Sequence, residues 1–510
     1  MINLELSGLK NFIRSRQKEL KIPGIGLGIT KDGKTIFSGG FGFADLEKKE
    51  KVIGNTIFRM GSISKTFTAI GLFQLIEQGK VQLDQPINDL LPDGKLISKK
   101  QRKIPITLKH LLTHTSGIGE LLARRDLFKL PRFIAQDPEK LYPLEKLFNR
   151  TIKLRHSPGE KWAYANFGFN LIGYLVEILS GQPFAEYMRK HLLEPLGMSH
   201  SDFERSETIR NYQAKGYKLK HSKNVEFGTN LRVHKPAGAL YASVNDMLKY
   251  MNCLLNQGKY KGGQLIQSES LKTLWTPHYR VDERLPAMGY AFWLYDIEDY
   301  KVVGHGGSIN GYLAQMYLLP REKLGIIVAV NQMSLGNMEA IRIAHEILHK
   351  VLELKEPMKI KEKNYTILKR VNQGLIQEMT GRYGPSKGIL TNTRFYMAGG
   401  EIKIGFKHGE LMYKTMWGGK KKGAKLWLVD KDDPFYYKIL DNLSYSCVEP
   451  HESVIFNQND QGEITSISKG FHTYIKKPWY KSFKFKLYSR IGLLLFGIVI
   501  SLFFLSLFSV

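Results

Sequence analysis

Residues 61–79 read GSISKTFTAIGLFQLIEQG, and the structure they take decides how the rest of the chain is organised. Ser62 and Lys65 stand three apart, so a helix that begins at Ser62 puts the amine on the same face as the hydroxyl. A serine is favoured at a helix start, where the positive end of the macrodipole stabilises negative charge developing on its oxygen. Phe67, Ile70, Phe73 and Ile76 then form an apolar stripe, and Gly79 is placed to end the helix. The spacing alone selects nothing, because Ser15 and Lys18 share it and Ser466–Lys469 repeats the tetrapeptide SISK. Only Ser62 follows a glycine-led turn and opens an amphipathic helix. The other two read as solvated chance matches.

Working outward, IPGIGLGIT from Ile22 and TIFSGGFGFAD from Thr35 are strand-like, with Asp32-Gly33 between them as a favoured hairpin turn. Downstream come helical patterns at 63–78, 167–180 and 338–353, and strand-like runs at 311–319 and 324–331. A sheet with its first strands at the amino end, its last near residue 330 and helices between them predicts an α+β class. The charged, proline-bearing stretch 352–365 reads as a connector. Short alternating runs at 401–406, 425–429 and 464–474 predict a small antiparallel sheet or barrel after it.

At 510 residues the chain exceeds what one core usually holds, so two domains and an appendage are expected. Lys+Arg outnumber Asp+Glu 75 to 47, a formal charge of +28. The basic residues are spread along the chain with no zinc-finger, basic-heptad or ribonucleoprotein spacing, so no nucleic-acid partner is expected. An anionic membrane surface or envelope polymer fits better. Cys253 and Cys447 are too few for a disulfide framework or a thiolate metal site and read as ordinary buried thiols. No secretory signal is visible at the amino end. Residues 491–510, IGLLLFGIVISLFFLSLFSV, form an uncharged run matching a hydrocarbon core of about 30 Å, hence a single membrane span. Lys481, Lys484, Lys486 and Arg490 precede it and nothing charged follows, which places the folded domains on the cytoplasmic side.

Two further elements could share chemistry with Ser62. Tyr164-Ala165-Asn166 follows the turn-like SPGEKW at 157–162. Tyr164 could exchange a proton with Ser62 if a nearby ammonium favours the ionised phenol, and Asn166 could bond a substrate amide or Lys65. Tyr250-Met251-Asn252 has the same form but lies in a helical pattern and reads as structural. Gly304-His305-Gly306-Gly307, followed by Ser308, would let backbone approach substrate closely and offer amides to an oxyanion. By itself it reads sooner as a glycine-rich hairpin turn with an incidental histidine.

These three elements in this order resemble the class C β-lactamases, the serine D-alanyl-D-alanine peptidases and related esterases of the β-lactamase-related superfamily. The likeness covers roughly residues 8–350 and includes HLLTHTSGI at 110–118, SPGEKWAYANFGFNLIGYLVE at 157–177, EPLGMSHSDF at 194–203 and PAGALYASVNDM at 236–247. The resemblance implies an α/β sheet domain flanked by a helical domain, with the site in the groove between. It implies Ser62 as nucleophile, Lys65 and Tyr164 as the proton-transfer network, and Asn166, His305, Gly306, Gly307 and Ser308 as substrate-binding positions. The backbone N–H groups of Ser62 and Ser308 would form the oxyanion hole, and no metal or organic cofactor is needed.

His305 replaces the lysine of the Lys-Thr-Gly motif and is a cation only when protonated, which lowers the expectation of β-lactamase activity. The domain after Gly381 resembles appended lipocalin-like domains. The expected division is 1–355 for the hydrolase domain, 356–376 for the connector, 377–480 for the β domain and 488–510 for the membrane helix. The expected partner is an ester, a β-lactam or a peptidoglycan stem peptide. A carboxylesterase on small esters and a non-catalytic envelope-binding protein are the alternatives. The resemblance places the substrate outside the membrane, against the flanking charges.

Overall fold

The computed structural model describes residues 6–92, 104–119, 134–135, 143–148, 151–228, 231–232, 235–333, 339–354, 373–386, 400–415, 424–429, 432–440 and 453–478. The chain divides into two compact units. The first falls within Met1–Lys359.

The first unit is built on one antiparallel sheet. Its long strands are β1 (Gly24–Lys31), β2 (Lys34–Asp45), β3 (Trp293–Ile297), β4 (Tyr300–Ile309), β5 (Tyr312–Leu319) and β6 (Leu324–Val330). They lie in the order β3-β4-β5-β6-β1-β2, with short strands Ala287–Met288 and Glu50–Lys51 at the two edges. Asp32 and Gly33 take φ of 50° and 76°, the left-handed pair that the tight β1–β2 hairpin requires. β1 pairs with β6 from Ile25↔Val330 to Lys31↔Leu324, so the two ends of the unit meet in mid-sheet. β5 and β6 are buried throughout, because helices cover them.

The long helices among the described residues are α1 (Leu6–Glu19), α2 (Ser64–Glu77), α3 (Asn166–Ser180), α4 (Val244–Leu255) and α5 (Glu339–Val351). α4 packs on β1 and β6, and α5 on β5 and β6. Arg16 of α1 makes a two-pronged bond to Glu346 of α5, with both N···O distances 2.9 Å. The stripe expected on α2 is too narrow a description. Residues 64–73 and Leu75 are all buried, because α2 is the central helix, packed on α3 and on the turn at Lys235–Gly238. Tyr250 is structural: it stacks on Phe67 at 3.9 Å and donates to Thr66 Oγ1.

The second unit holds a closed barrel of eight antiparallel strands, β7 (Gly381–Pro385), β8 (Ile402–Lys407), β9 (Glu410–Thr415), β10 (Ala424–Leu428), β11 (Tyr436–Leu440), β12 (Ser453–Gln458), β13 (Ile464–Lys469) and β14 (His472–Lys477). β14 closes on β7. The run expected at 464–474 is two strands, turned at Gly470 with φ 57°. The end of the expected connector is also structured: helix α6 (Gln373–Met379) places Ile376 and Met379, three apart, in the barrel core. The rest of that connector, Cys447 and the apolar run 491–510 lie outside the described residues. Among the described residues no helix is long and apolar enough to cross a membrane.

Candidate active site

The turn that carries Ser62 hangs from a short strand, Ile57–Arg59, paired with Tyr241–Ser243. Gly61–Ile63 form a single 3-10 turn and α2 begins at Ser64, so Ser62 precedes the α-helix instead of capping it. Ser64 ties the turn down: its hydroxyl donates to Gly61 O at 2.6 Å and accepts from Leu240 N–H at 2.9 Å. Met60 N–H donates to Leu240 O at 2.8 Å, so the 235–240 segment holds the turn from behind. That frees the Ser62 hydroxyl, 8% exposed, to face Lys65 and Tyr164.

Lys65 is fully buried, and its ammonium donates to Ser62 Oγ at 3.0 Å, Asn166 Oδ1 at 2.8 Å and Ala237 O at 2.6 Å. Three acceptors match the three N–H bonds of an ammonium. Tyr164 Oη donates to Ser62 Oγ at 2.7 Å from the opposite side, and the Lys65 nitrogen sits 4.9 Å from the Tyr164 ring centre. Asn166 begins α3, so its placement follows from that helix start. Its amide oxygen accepts from Lys65, one of the two roles open to it from the sequence.

The glycine motif lies inside β4 and not on a turn. β3 pairs with β4 only from Ile297↔Tyr300 to Trp293↔Gly304, so residues 305–309 have no sheet partner on that side. The turn that carries Ser62 takes the place. A Cβ on Gly307 would lie 1.9 Å from Met60 O and 3.3 Å from Ser62 N, and one on Gly61 would lie 2.7 Å from Ser308 N. Contact this close is open only to glycine, and it brings the backbone N–H groups of Ser62 and Ser308 to one place.

His305 is 0% exposed, stacked on Trp293 at 4.3 Å, with Nδ1 2.6 Å from Gly306 O. Burial, with Lys65 nearby, pushes its pKa down to about 3, so the ring is neutral at pH 7. It supplies no cation to a substrate carboxylate. The sequence reasoning used 110–118 and 236–247 only as framing, yet they provide His114, which packs against Tyr164, and Ala237 O and Leu240, which hold Lys65 and the turn. The signal available for them was their place among the segments that carry the family resemblance.

Neither other S-x-x-K match forms such a site. Ser15 and Lys18 are exposed on α1. Ser466 and Lys469, read as solvated, are 7% and 8% exposed in the barrel strand β13. Residues three apart on a strand point to opposite faces, so these two side chains diverge. The described residues hold no group of three or more His, Cys, Asp or Glu able to bind a metal.

The β-lactamase family model matches residues 9–349. Protein flp of Staphylococcus aureus (strain MW2) is 26% identical over 313 residues, 61% of this chain and 60% of that protein. PbpX of Bacillus subtilis (strain 168), named as a candidate penicillin-binding protein, is 30% identical over 266 residues, 51% of this chain and 60% of its own length. The match thus spans about 60% of these curated relatives. The octameric penicillin-binding protein homologue from Pyrococcus abyssi superposes with a TM-score of 0.60 at 26% identity, covering 93% of this chain and all of that one. With the family model spanning most of the first unit and the Ser62, Lys65 and Tyr164 side chains hydrogen-bonded together, the chain belongs to the β-lactamase family, the superfamily of serine hydrolases that also contains the penicillin-binding proteins.

Proposed function

We propose that Ser62 is the nucleophile of a serine hydrolase or acyltransferase acting on an ester, D-alanyl peptide or β-lactam carbonyl. The observation that carries this reading is the Ser62 hydroxyl held between Lys65 Nζ at 3.0 Å and Tyr164 Oη at 2.7 Å. At rest the Tyr164 phenol donates to Ser62 Oγ; in its ionised form it takes the Ser62 proton as Oγ attacks the carbonyl carbon. The new C–O bond pushes the carbonyl electrons onto oxygen, where the N–H groups of Ser62 and Ser308 stabilise the charge. Collapse breaks the bond to the leaving group, which takes the proton from Tyr164. Water or an amine then attacks the acyl-enzyme by the same route and restores Ser62.

Within this class the buried, neutral His305 favours an acyl donor bound without a cation at that position, which makes a carboxylesterase on small esters the second reading. We further propose that the run 491–510 anchors the protein in a membrane; protease accessibility in intact cells separates the two orientations. The catalytic test is intact-protein mass spectrometry after exposure to a penicillin and, separately, to a fluorophosphonate, for the wild type and Ser62→Ala. A single adduct lost in the variant supports the reading, and preference for the fluorophosphonate supports the esterase. No adduct from either probe refutes both and leaves the non-catalytic reading.

A further inference from the structure

Tyr164 reaches Ser62 from a loop, and a loop does not by itself fix a phenol to within a few tenths of an ångström. One residue on a neighbouring segment grips it on both flanks. His114 is 2% exposed and takes a left-handed φ of 58°, a conformation rarely adopted by residues other than glycine, asparagine and aspartate. Its carbonyl accepts from Ala163 N–H at 2.8 Å and its ring Nδ1 accepts from Ala165 N–H at 3.2 Å. The two amides flanking Tyr164 therefore both end on His114. The same ring lies against the Tyr164 ring at 4.2 Å, tilted by 32°. A backbone N–H can only donate, so Nδ1 must carry its lone pair and the neutral ring its proton on Nε2. Burial, then the charge of Lys65, holds this imidazole well below its ordinary pKa, in agreement with a neutral ring.

We infer that His114 is the positioning residue for Tyr164, fixing the phenol on Ser62 through the Ala165 amide. The inference rests on the proposed acyl-transfer reading. It distinguishes the acceptor from the ring, and two substitutions separate them. His114→Asn keeps an acceptor at the same distance from the backbone and tolerates the left-handed conformation, but removes the ring. His114→Phe keeps the ring and removes the acceptor, leaving a buried Ala165 N–H without a partner.

The experiment measures the limiting rate and half-saturating concentration of Ser62 modification by a fluorophosphonate. It uses the wild type, both variants, Tyr164→Phe and the double variant His114→Phe/Tyr164→Phe. A displaced catalytic group costs on the order of 100-fold, so His114→Phe should lower the limiting rate by roughly 30- to 100-fold while the half-saturating concentration changes less than about threefold. His114→Asn should stay within about fivefold of wild type. In the Tyr164→Phe background the cost of His114→Phe should shrink to less than about threefold, since no phenol remains to be placed. If His114→Phe does not fold, His114→Gln, which displaces the acceptor by one bond, takes its place. Equal loss in the asparagine and phenylalanine variants, no loss in either, or an undiminished loss without the phenol overturns the inference while the acyl-transfer reading stands. A wild type that takes no label overturns that reading and the inference with it.

Discussion

Gly307→Ala tests the contact between β4 and the nucleophile turn. The added methyl would fall 1.9 Å from Met60 O, and Met60 is held in turn through its N–H to Leu240 O at 2.8 Å. Restoring van der Waals separation requires the strand and the turn to part by roughly 1 Å or more, because neither backbone atom can swing aside. That displacement opens the gap between the Ser62 and Ser308 amides. A misplacement of about 1 Å costs about 100-fold in rate, or roughly 2.7 kcal/mol of transition-state stabilisation. The assay is the limiting rate of Ser62 phosphonylation together with the burst of an activated ester. Gly39→Ala on β2 is the control, since its new methyl meets only Phe37 at an ordinary 3.5 Å. The expected result is a fall of about 100-fold or more for Gly307→Ala, overpacking that lowers stability by about 1–3 kcal/mol, and a control near wild type. Labelling of folded Gly307→Ala within threefold of wild type would refute the close-approach argument.

Three other outcomes follow from the same geometry. Lys65→Met removes the donor that Ser62 Oγ, Asn166 Oδ1 and Ala237 O share, so labelling should fall by at least about 1000-fold; near-normal labelling removes Lys65 from the mechanism. His305 titrates at about 3 against an ordinary 6.5, so below pH 6.5 the unfolded chain binds a proton the folded one does not, and stability falls as pH drops from 6.5 towards 3 by up to about 1.4 kcal/mol per unit. Urea midpoints between pH 7 and pH 4 should therefore fall less steeply in His305→Phe than in wild type; parallel curves contradict a buried neutral histidine. His305→Lys would place an ammonium in the same dry pocket near Lys65, so it should destabilise the fold and give no gain in penicillin labelling relative to the fluorophosphonate, whereas a tenfold gain would show that the position does reach substrate.

The hairpin at Asp32-Gly33, the paired runs at 312–319 and 324–330 and the helix at 166–180 were legible because periodicity and turn chemistry are local. Ser62, Lys65, Tyr164 and Asn166 were legible as a set because three separate motifs pointed to one chemistry. The sequence misread what depends on the third dimension. α2 shows an apolar stripe in projection, but α3 and the 235–238 turn bury its other faces too. GHGG has the composition of a turn and is a strand, because the missing sheet neighbour beyond Gly304 is replaced by Met60–Ser62. For His305 the sequence left the charge conditional on protonation, and its burial beside Trp293 agrees with a neutral ring.

The two copies of SISK separate composition from chemistry. Both are buried and both carry the same serine and lysine, at 62–65 and 466–469. At 62–65 the backbone turns through a 3-10 step into α2, and the i, i+3 geometry brings Lys65 Nζ within 3.0 Å of Ser62 Oγ. At 466–469 the backbone is extended: Ser466 accepts from Asn457 Nδ2 at 3.0 Å, while Lys469 is paired across the strand with His472. Burial is common to both and so cannot be what activates the serine. What differs is the turn that Ser64 and Leu240 hold in place and the phenol that arrives from 164. A barrel with Ser62→Ala in the first unit should therefore take up no label at Ser466, although the tetrapeptide there is intact.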